Sequence, residues 1–129
     1  IYKEADVISL HLPLSPLTRN MICHEQLLLM KKDASIINTS RGGIINEDDL
    51  YKVMNEGHLG GAAIDVFENE PYTGRLVEIK RCLLTAHMGS MSIDCRSQME
   101  IQATEEIVRF LSGKPLKSEV PQLEYENQR

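Results

Sequence analysis

The chain has 129 residues, the size of one ordinary domain or of part of one. Its 42% hydrophobic and 26% charged residues are those of a globular protein and exclude a disordered or collagen-like polypeptide; the longest apolar run, Leu27 to Met30, falls far short of the ~20 residues that a membrane-spanning helix needs. Nineteen acidic against fourteen basic residues leave a net charge of −5, the wrong sign for gripping a nucleic-acid backbone, so neither nucleic acid nor membrane is an expected partner. Three cysteines, Cys23, Cys82 and Cys95, match neither a disulfide framework nor a zinc pattern. No metal is expected, and a reducing cytoplasm is the expected location. The opening Ile1-Tyr2-Lys3-Glu4 has no initiator methionine and no signal-peptide pattern, and reads as a fragment.

In chain order, Ala5 to Leu10 is a short β-branched run closed by Pro13 and Pro16, predicting a buried strand. Glu25 to Lys32 carries Leu27, Leu28 and Met30 with lysines at its end, as a short helix would. A second strand is predicted over Ser35–Thr39, ending at Gly42-Gly43. Asn46 is a good N-cap. Behind it stand Glu47, Asp48 and Asp49 in the first turn, then Leu50, Val53 and Met54 at helical spacing and Gly57 at the stop. Gly61–Phe67 reads as a third buried strand, and a loop of about a dozen residues with Glu70-Pro71 and Gly74 leads to a fourth at Cys82–Thr85. A long last helix is capped by Ser92, repeats Met99, Ala103, Ile107 and Leu111 at intervals of four, and stops at Gly113 and Pro115. The methionines and leucines of all three helices are expected to be core. Beyond Pro121, residues 122–129 form a polar tail expected to be disordered.

The order β-α-β-α-β-loop-β-α implies right-handed crossovers and a mostly parallel α/β sheet, Rossmann-like and doubly wound in part. In such a sheet the C-terminal strand ends share one edge, where ligands bind. That edge collects His11, Arg41, Asp65 with Glu70 in its loop, and His87. Arg41 lies in Asn38-Thr39-Ser40-Arg41-Gly42-Gly43, and a guanidinium there can hold a carboxylate through two parallel hydrogen bonds. His87 lies between a strand end and a helix start, and an imidazole suits proton transfer near neutrality. Glu70 is favoured over Glu68 as its carboxylate partner. The simpler readings are a surface Arg41 paired with the Glu47-Asp48-Asp49 turn, a helix-start His87, a solvated Glu70, and an Asp65 that only caps a turn.

The segments Ala5-Asp6-Val7-Ile8-Ser9-Leu10-His11-Leu12-Pro13-Leu14, Asn38-Thr39-Ser40-Arg41-Gly42-Gly43-Ile44-Ile45-Asn46, Gly61-Ala62-Ala63-Ile64-Asp65-Val66-Phe67-Glu68-Asn69-Glu70-Pro71 and Thr85-Ala86-His87-Met88-Gly89 are each weak alone, but their order and spacing are specific. Together they resemble the cofactor-side half of the D-isomer-specific 2-hydroxyacid dehydrogenases, the NAD-dependent family of D-3-phosphoglycerate, D-lactate and glycerate/hydroxypyruvate enzymes, from about Ala5 to Pro121. The resemblance implies a catalytic set of Arg41, Glu70 and His87. His87 would take the hydroxyl proton, Glu70 would support the imidazolium, and Arg41 would bind the substrate carboxylate and polarise the 2-oxo group. It also implies that Leu12, Thr39, Ser40, Arg41, Asp65, His87 and Gly89 bind NAD, with Asp65 accepting from the nicotinamide carboxamide. The substrate would be a small 2-hydroxy or 2-oxo acid and the assembly a homodimer.

Two departures stand out. Ala86 replaces a frequent proline, and no G-x-G-x-x-G cradle for the pyrophosphate occurs anywhere in the chain. Residues 1–121 are therefore expected to be the C-terminal half of a dinucleotide-binding domain, inactive alone. The competing function is an NADH-responsive corepressor-like binding platform on the same fold.

Overall fold

The computed structural model describes residues 1–121; the tail expected to be disordered lies outside the described residues. The chain divides into two compact units, Ile1–His87 and the segment from Met88 onward. The first holds strands β1 (Val7–Leu10), β2 (Ser35–Asn38), β3 (Gly61–Ile64) and β4 (Cys82–Leu84), with helices α1 (His24–Leu29) and α2 (Glu47–Asn55) between them. All three ladders are parallel, and the spatial order β1-β2-β3-β4 repeats the order in sequence.

That order accounts for the burial pattern. When right-handed crossovers always step the same way along a sheet, every connection lies on the same face. Ile8, Leu10, Ile36, Ala62 and Ile64 accordingly join Leu27 of α1 and Leu50, Val53 and Met54 of α2 in one core. The alternate residues Val7, Ser9, Ser35, Ile37, Gly61, Ala63 and Leu83 are exposed or half-buried. The strands are thus buried on one side, not on both as the apolar runs suggest; Val7 is 56% exposed. Run composition cannot distinguish the two cases, because winding direction decides which face is covered.

α2 begins as its sequence requires. The Asn46 side chain accepts the Asp49 N–H at 3.0 Å, three carboxylates occupy the positive first turn, and Gly57 follows the C-cap with φ +77°. α1 departs from expectation, ending at Leu29 with Met30 already extended. The lysines therefore lie beyond its last turn, and Lys31 instead pairs with Asp6 at 2.7 Å. The β3–β4 loop contains a 3₁₀ turn, Arg75–Glu78, which Leu76 anchors in the core.

The second unit contains α3 (Ile93–Leu111), with the Ser92 hydroxyl accepting the Cys95 N–H and Gly113 beyond its end at φ +66°. None of its residues is buried, which corrects the expectation that its methionines and leucines are core. A repeat of four places side chains on one face but does not provide a surface to cover them. Among the described residues no helix is long and apolar enough to cross a membrane.

Candidate active site

The turn after β2 is built around a buried side chain. Asn38 is 2% exposed; its Oδ1 accepts the Ser40 N–H at 3.1 Å and the Ser40 hydroxyl at 2.9 Å, and its Nδ2 donates to the Arg41 carbonyl at 2.9 Å. A carboxamide is needed here because it both accepts and donates. At Gly42 the turn meets the loop after β3 so closely that an added Cβ would lie 2.0 Å from both the carbonyl carbon and oxygen of Phe67. Glycine is the residue that allows this backbone approach. Arg41 is exposed, donates to the Ser40 carbonyl at 2.6 Å, and has no ion pair with the acidic turn of α2 among the described contacts.

The loop after β3 curls so that the Phe67 N–H donates to Glu70 Oε1 at 3.0 Å, while Glu70 Oε2 lies 3.0 Å from His87 Nδ1. The Phe67 N–H and then the His87 hydrogen bond hold the Glu70 carboxyl below its ordinary range. An ionised carboxylate can only accept, so His87 Nδ1 carries the hydrogen and Nε2 is the nitrogen left to exchange a proton. The backbone fixes the ring as well: the His87 N–H donates to the Asp65 carbonyl at 2.8 Å, and His87 sits at φ +53°, a left-handed conformation that is sparse outside glycine and worth noting at a candidate site.

Asp65, 8% exposed, accepts the Thr85 hydroxyl at 2.5 Å. Glu68 turns the other way, pairing with Arg19 at 2.5 Å while its N–H donates to Glu47 Oε1 at 2.8 Å. Burial raises the Glu47 carboxyl above its usual range. Of the two candidate carboxylates, Glu70 is therefore the one on His87.

Arg41, Glu70 and His87 line one cleft of about 300 Å³ together with Arg19, Glu68 and Phe67. It contains two guanidiniums, an imidazole and two carboxylates, a set able to hold an organic acid and move a proton. Leu12, 39% exposed, follows β1, and Thr39 and Ser40 form the tip of the β2 turn. Gly89 belongs to the second unit. His11 bonds Ser9 at 2.8 Å, and His58 contacts the Met30 carbonyl at 2.9 Å as a structural residue. Asn38, Arg19 and Thr85 went unrecognised in the sequence. Only Asn38 carried a signal, an asparagine two residues before a serine in a strand-exit turn; the other two depend on long-range packing.

Residues 1–89 match the family model described as D-isomer specific 2-hydroxyacid dehydrogenase, NAD binding domain. The chain is 40% identical over 115 residues to a glyoxylate reductase of Thermococcus litoralis, covering 88% of this chain and 35% of that one. It is 41% identical over 121 residues to a D-3-phosphoglycerate dehydrogenase of Synechocystis sp., covering 93% of this chain and 22% of that one. The crystal structure of a glyoxylate reductase from Paecilomyes thermophila superposes with a TM-score of 0.89 at 31% identity, over 95% of this chain and 38% of that one. The chain thus spans about a third or less of the curated relatives it matches.

Proposed function

The chain belongs to the D-isomer-specific 2-hydroxyacid dehydrogenases, through their NAD-binding domain, and from this we propose that Arg41, Glu70 and His87 are the catalytic set of an oxidoreductase acting on a small D-2-hydroxy acid. The observation that carries the reading is the 3.0 Å contact between His87 Nδ1 and Glu70 in the cleft that Arg41 also lines. In the oxidative direction His87 Nε2 takes the substrate hydroxyl proton, and the Glu70 carboxylate stabilises the resulting imidazolium. In the reductive direction the same nitrogen returns the proton to the carbonyl oxygen. Arg41 holds the substrate carboxylate through two parallel hydrogen bonds and polarises the 2-oxo group.

NAD is the cofactor of this domain family, and when bound it supplies the hydride acceptor or donor. The residues present suit its nicotinamide end. Asp65 offers a buried carboxylate, held by Thr85 at the edge of the sheet, as the acceptor for a carboxamide N–H. Leu12, Thr39 and Ser40 are proposed to contact the cofactor through backbone atoms, and Gly89 is carried as a cofactor residue by the family resemblance alone. The pyrophosphate end lacks a glycine-rich cradle in this sequence, so the chain supplies one part of a site. Residues 1–121 are on this reading the C-terminal half of a dinucleotide-binding domain, inactive alone and homodimeric when whole. The corepressor-like alternative finds no support in the relatives described above.

The test is a titration with NADH followed by nicotinamide fluorescence, together with turnover of glyoxylate and hydroxypyruvate. The chain alone is expected to bind more weakly than ~1 mM, about 4 kcal/mol, and to turn nothing over. Grafted in place of the matching segment of the Thermococcus litoralis glyoxylate reductase, it is expected to support turnover that His87→Ala reduces by at least ~10²-fold. A graft whose turnover ignores His87→Ala and Arg41→Ala would overturn the catalytic assignment.

A further inference from the structure

The Glu70 carboxylate has two oxygens and several rotamers, and only one arrangement places Oε2 on His87. It is held by Oε1, which takes the Phe67 N–H at 3.0 Å. The orientation of Glu70 therefore depends on where the backbone of Phe67 stands, and that backbone has its own clamp. The Phe67 ring stacks on Tyr72 with centroids 4.2 Å apart and planes 18° from parallel. The far end of Tyr72 is tied down in turn, because its hydroxyl accepts the Leu76 N–H at 3.2 Å and Leu76 is fully buried. Gly74 leaves the space for this ring: an added Cβ would lie 2.4 Å from the Tyr72 oxygen. A flat ring bridging Phe67 and the Arg75–Glu78 turn thus spans the loop that carries Glu70, closing it from both sides.

Resting on the assignment of Glu70 and His87 as the proton-transfer pair, we propose that Tyr72 is a positioning residue which, through its stack on Phe67, aims Glu70 at His87 Nδ1 and so sets the ring tautomer that leaves Nε2 to exchange the substrate proton. Tyr72 touches neither reacting atom. An aromatic stack of this geometry selects one loop conformation over alternatives by roughly two- to tenfold, and the Phe67 N–H on the carboxylate adds to that selection as a charge-assisted hydrogen bond. The groups facing His87 in the cleft are Glu70, Arg41, Arg19 and Glu68, with the Asp65 carbonyl on its backbone N–H. Of these, only Glu70 is bonded to Nδ1 in this structure.

The experiment is long-range ¹H–¹⁵N correlation spectroscopy of the His87 ring in the full 129-residue chain, at a pH where the neutral imidazole is populated. It needs neither cofactor nor turnover. The unsubstituted chain is expected to show the Nδ1–H tautomer, against the Nε2–H preference of free histidine. Tyr72→Ala is expected to reduce the ratio of Nδ1–H to Nε2–H by roughly two- to tenfold, whereas Tyr72→Phe, which keeps the stack and loses only the hydrogen bond to Leu76, is expected to shift it by less. Should Tyr72→Ala fail to fold, Tyr72→Leu preserves apolar volume without a flat stack and is expected to shift the ratio in the same direction. A folded Tyr72→Ala or Tyr72→Leu chain with an unchanged ratio would overturn the role of Tyr72 while leaving the pair intact. A shift in Tyr72→Phe as large as that in Tyr72→Ala would overturn the ring as the agent. An Nε2–H tautomer in the unsubstituted chain would overturn the pair itself, and the positioning role with it.

Discussion

The contact at Gly42 makes the sharpest demand on the sequence. In Gly42→Ala the new Cβ would lie 2.0 Å from two backbone atoms of Phe67 and 2.4 Å from the Glu68 nitrogen, where ordinary contact begins near 3.4 Å. The β2 turn and the loop after β3 would have to part by about 1.4 Å. Both partners are main chain and cannot swing aside as a side chain would. Overpacking typically costs 1–3 kcal/mol, and this site belongs at the upper end, about 3 kcal/mol. Urea unfolding followed by circular dichroism should show the midpoint falling by roughly 1–3 M. Gly61→Ala is the internal control: its Cβ would lie 3.5 Å from the Arg81 carbonyl oxygen and from the Ser35 hydroxyl, both ordinary contacts. It should change stability by about 1 kcal/mol or less. If Gly42→Ala costs no more than Gly61→Ala, the two loops do not touch as described, and the cleft between Arg41 and Glu70 loses its basis.

Asn38→Ala removes three hydrogen bonds from a buried turn and should cost ~2–3 kcal/mol in the same urea assay; Asn46→Ala, which deletes only the α2 cap, should cost ~1 kcal/mol. Because the Glu70 carboxyl is held low by Phe67 and His87, its contribution to stability is present above the unfolded value of ~4.3 and is lost as pH falls through the lower folded value. The gap in urea midpoint between the unsubstituted chain and Glu70→Gln should thus be open at neutral pH and closed in acid; a gap independent of pH would contradict the hydrogen bonds that Phe67 and His87 make to the carboxylate. Burial pushes the Cys82 thiol up to about 11, so at pH 8 alkylation read by mass spectrometry should label Cys82 on the order of a hundredfold more slowly in the folded chain than in urea. Equal rates would mean that Cys82 is not packed against the core.

The strand and helix alternation was legible because each signal was local. Asn46 with its three acidic followers, Gly57 and Ser92 each act within a turn of where they stand, and the structure uses all of them. The ends were less legible: β1 starts at Val7 and not Ala5, and β3 stops at Ile64, because a strand extends only as far as its neighbour's register allows. Arg41, Asp65 and His87 could be found as strand-exit residues once the sheet was read as parallel. The partnership of Glu70 with His87 joins residues seventeen positions apart, and the place of Glu70 before Pro71 singled it out in the sequence; that of Glu68 with Arg19, forty-nine positions apart, carried no such signal. Tyr72 gave no signal at all, since a tyrosine in a loop of turn residues announces neither a stack nor its partner. The bareness of α3 was equally hidden, for amphipathic spacing is the same whether or not a surface covers it.

The sheet's plain order bears on how the chain is made. Val7 pairs with Ser35, Ser35 with Gly61 and Ala62 with Cys82, so each ladder closes across no more than 28 positions and no strand is ever inserted between two already joined. Loop-closure entropy is therefore spent in three modest, successive steps. A ribosome delivering this segment from its amino end would present every strand to a finished edge, and the sheet could grow one strand at a time as it emerges, with β4 added last to bring the His87 end of the cleft against Glu70.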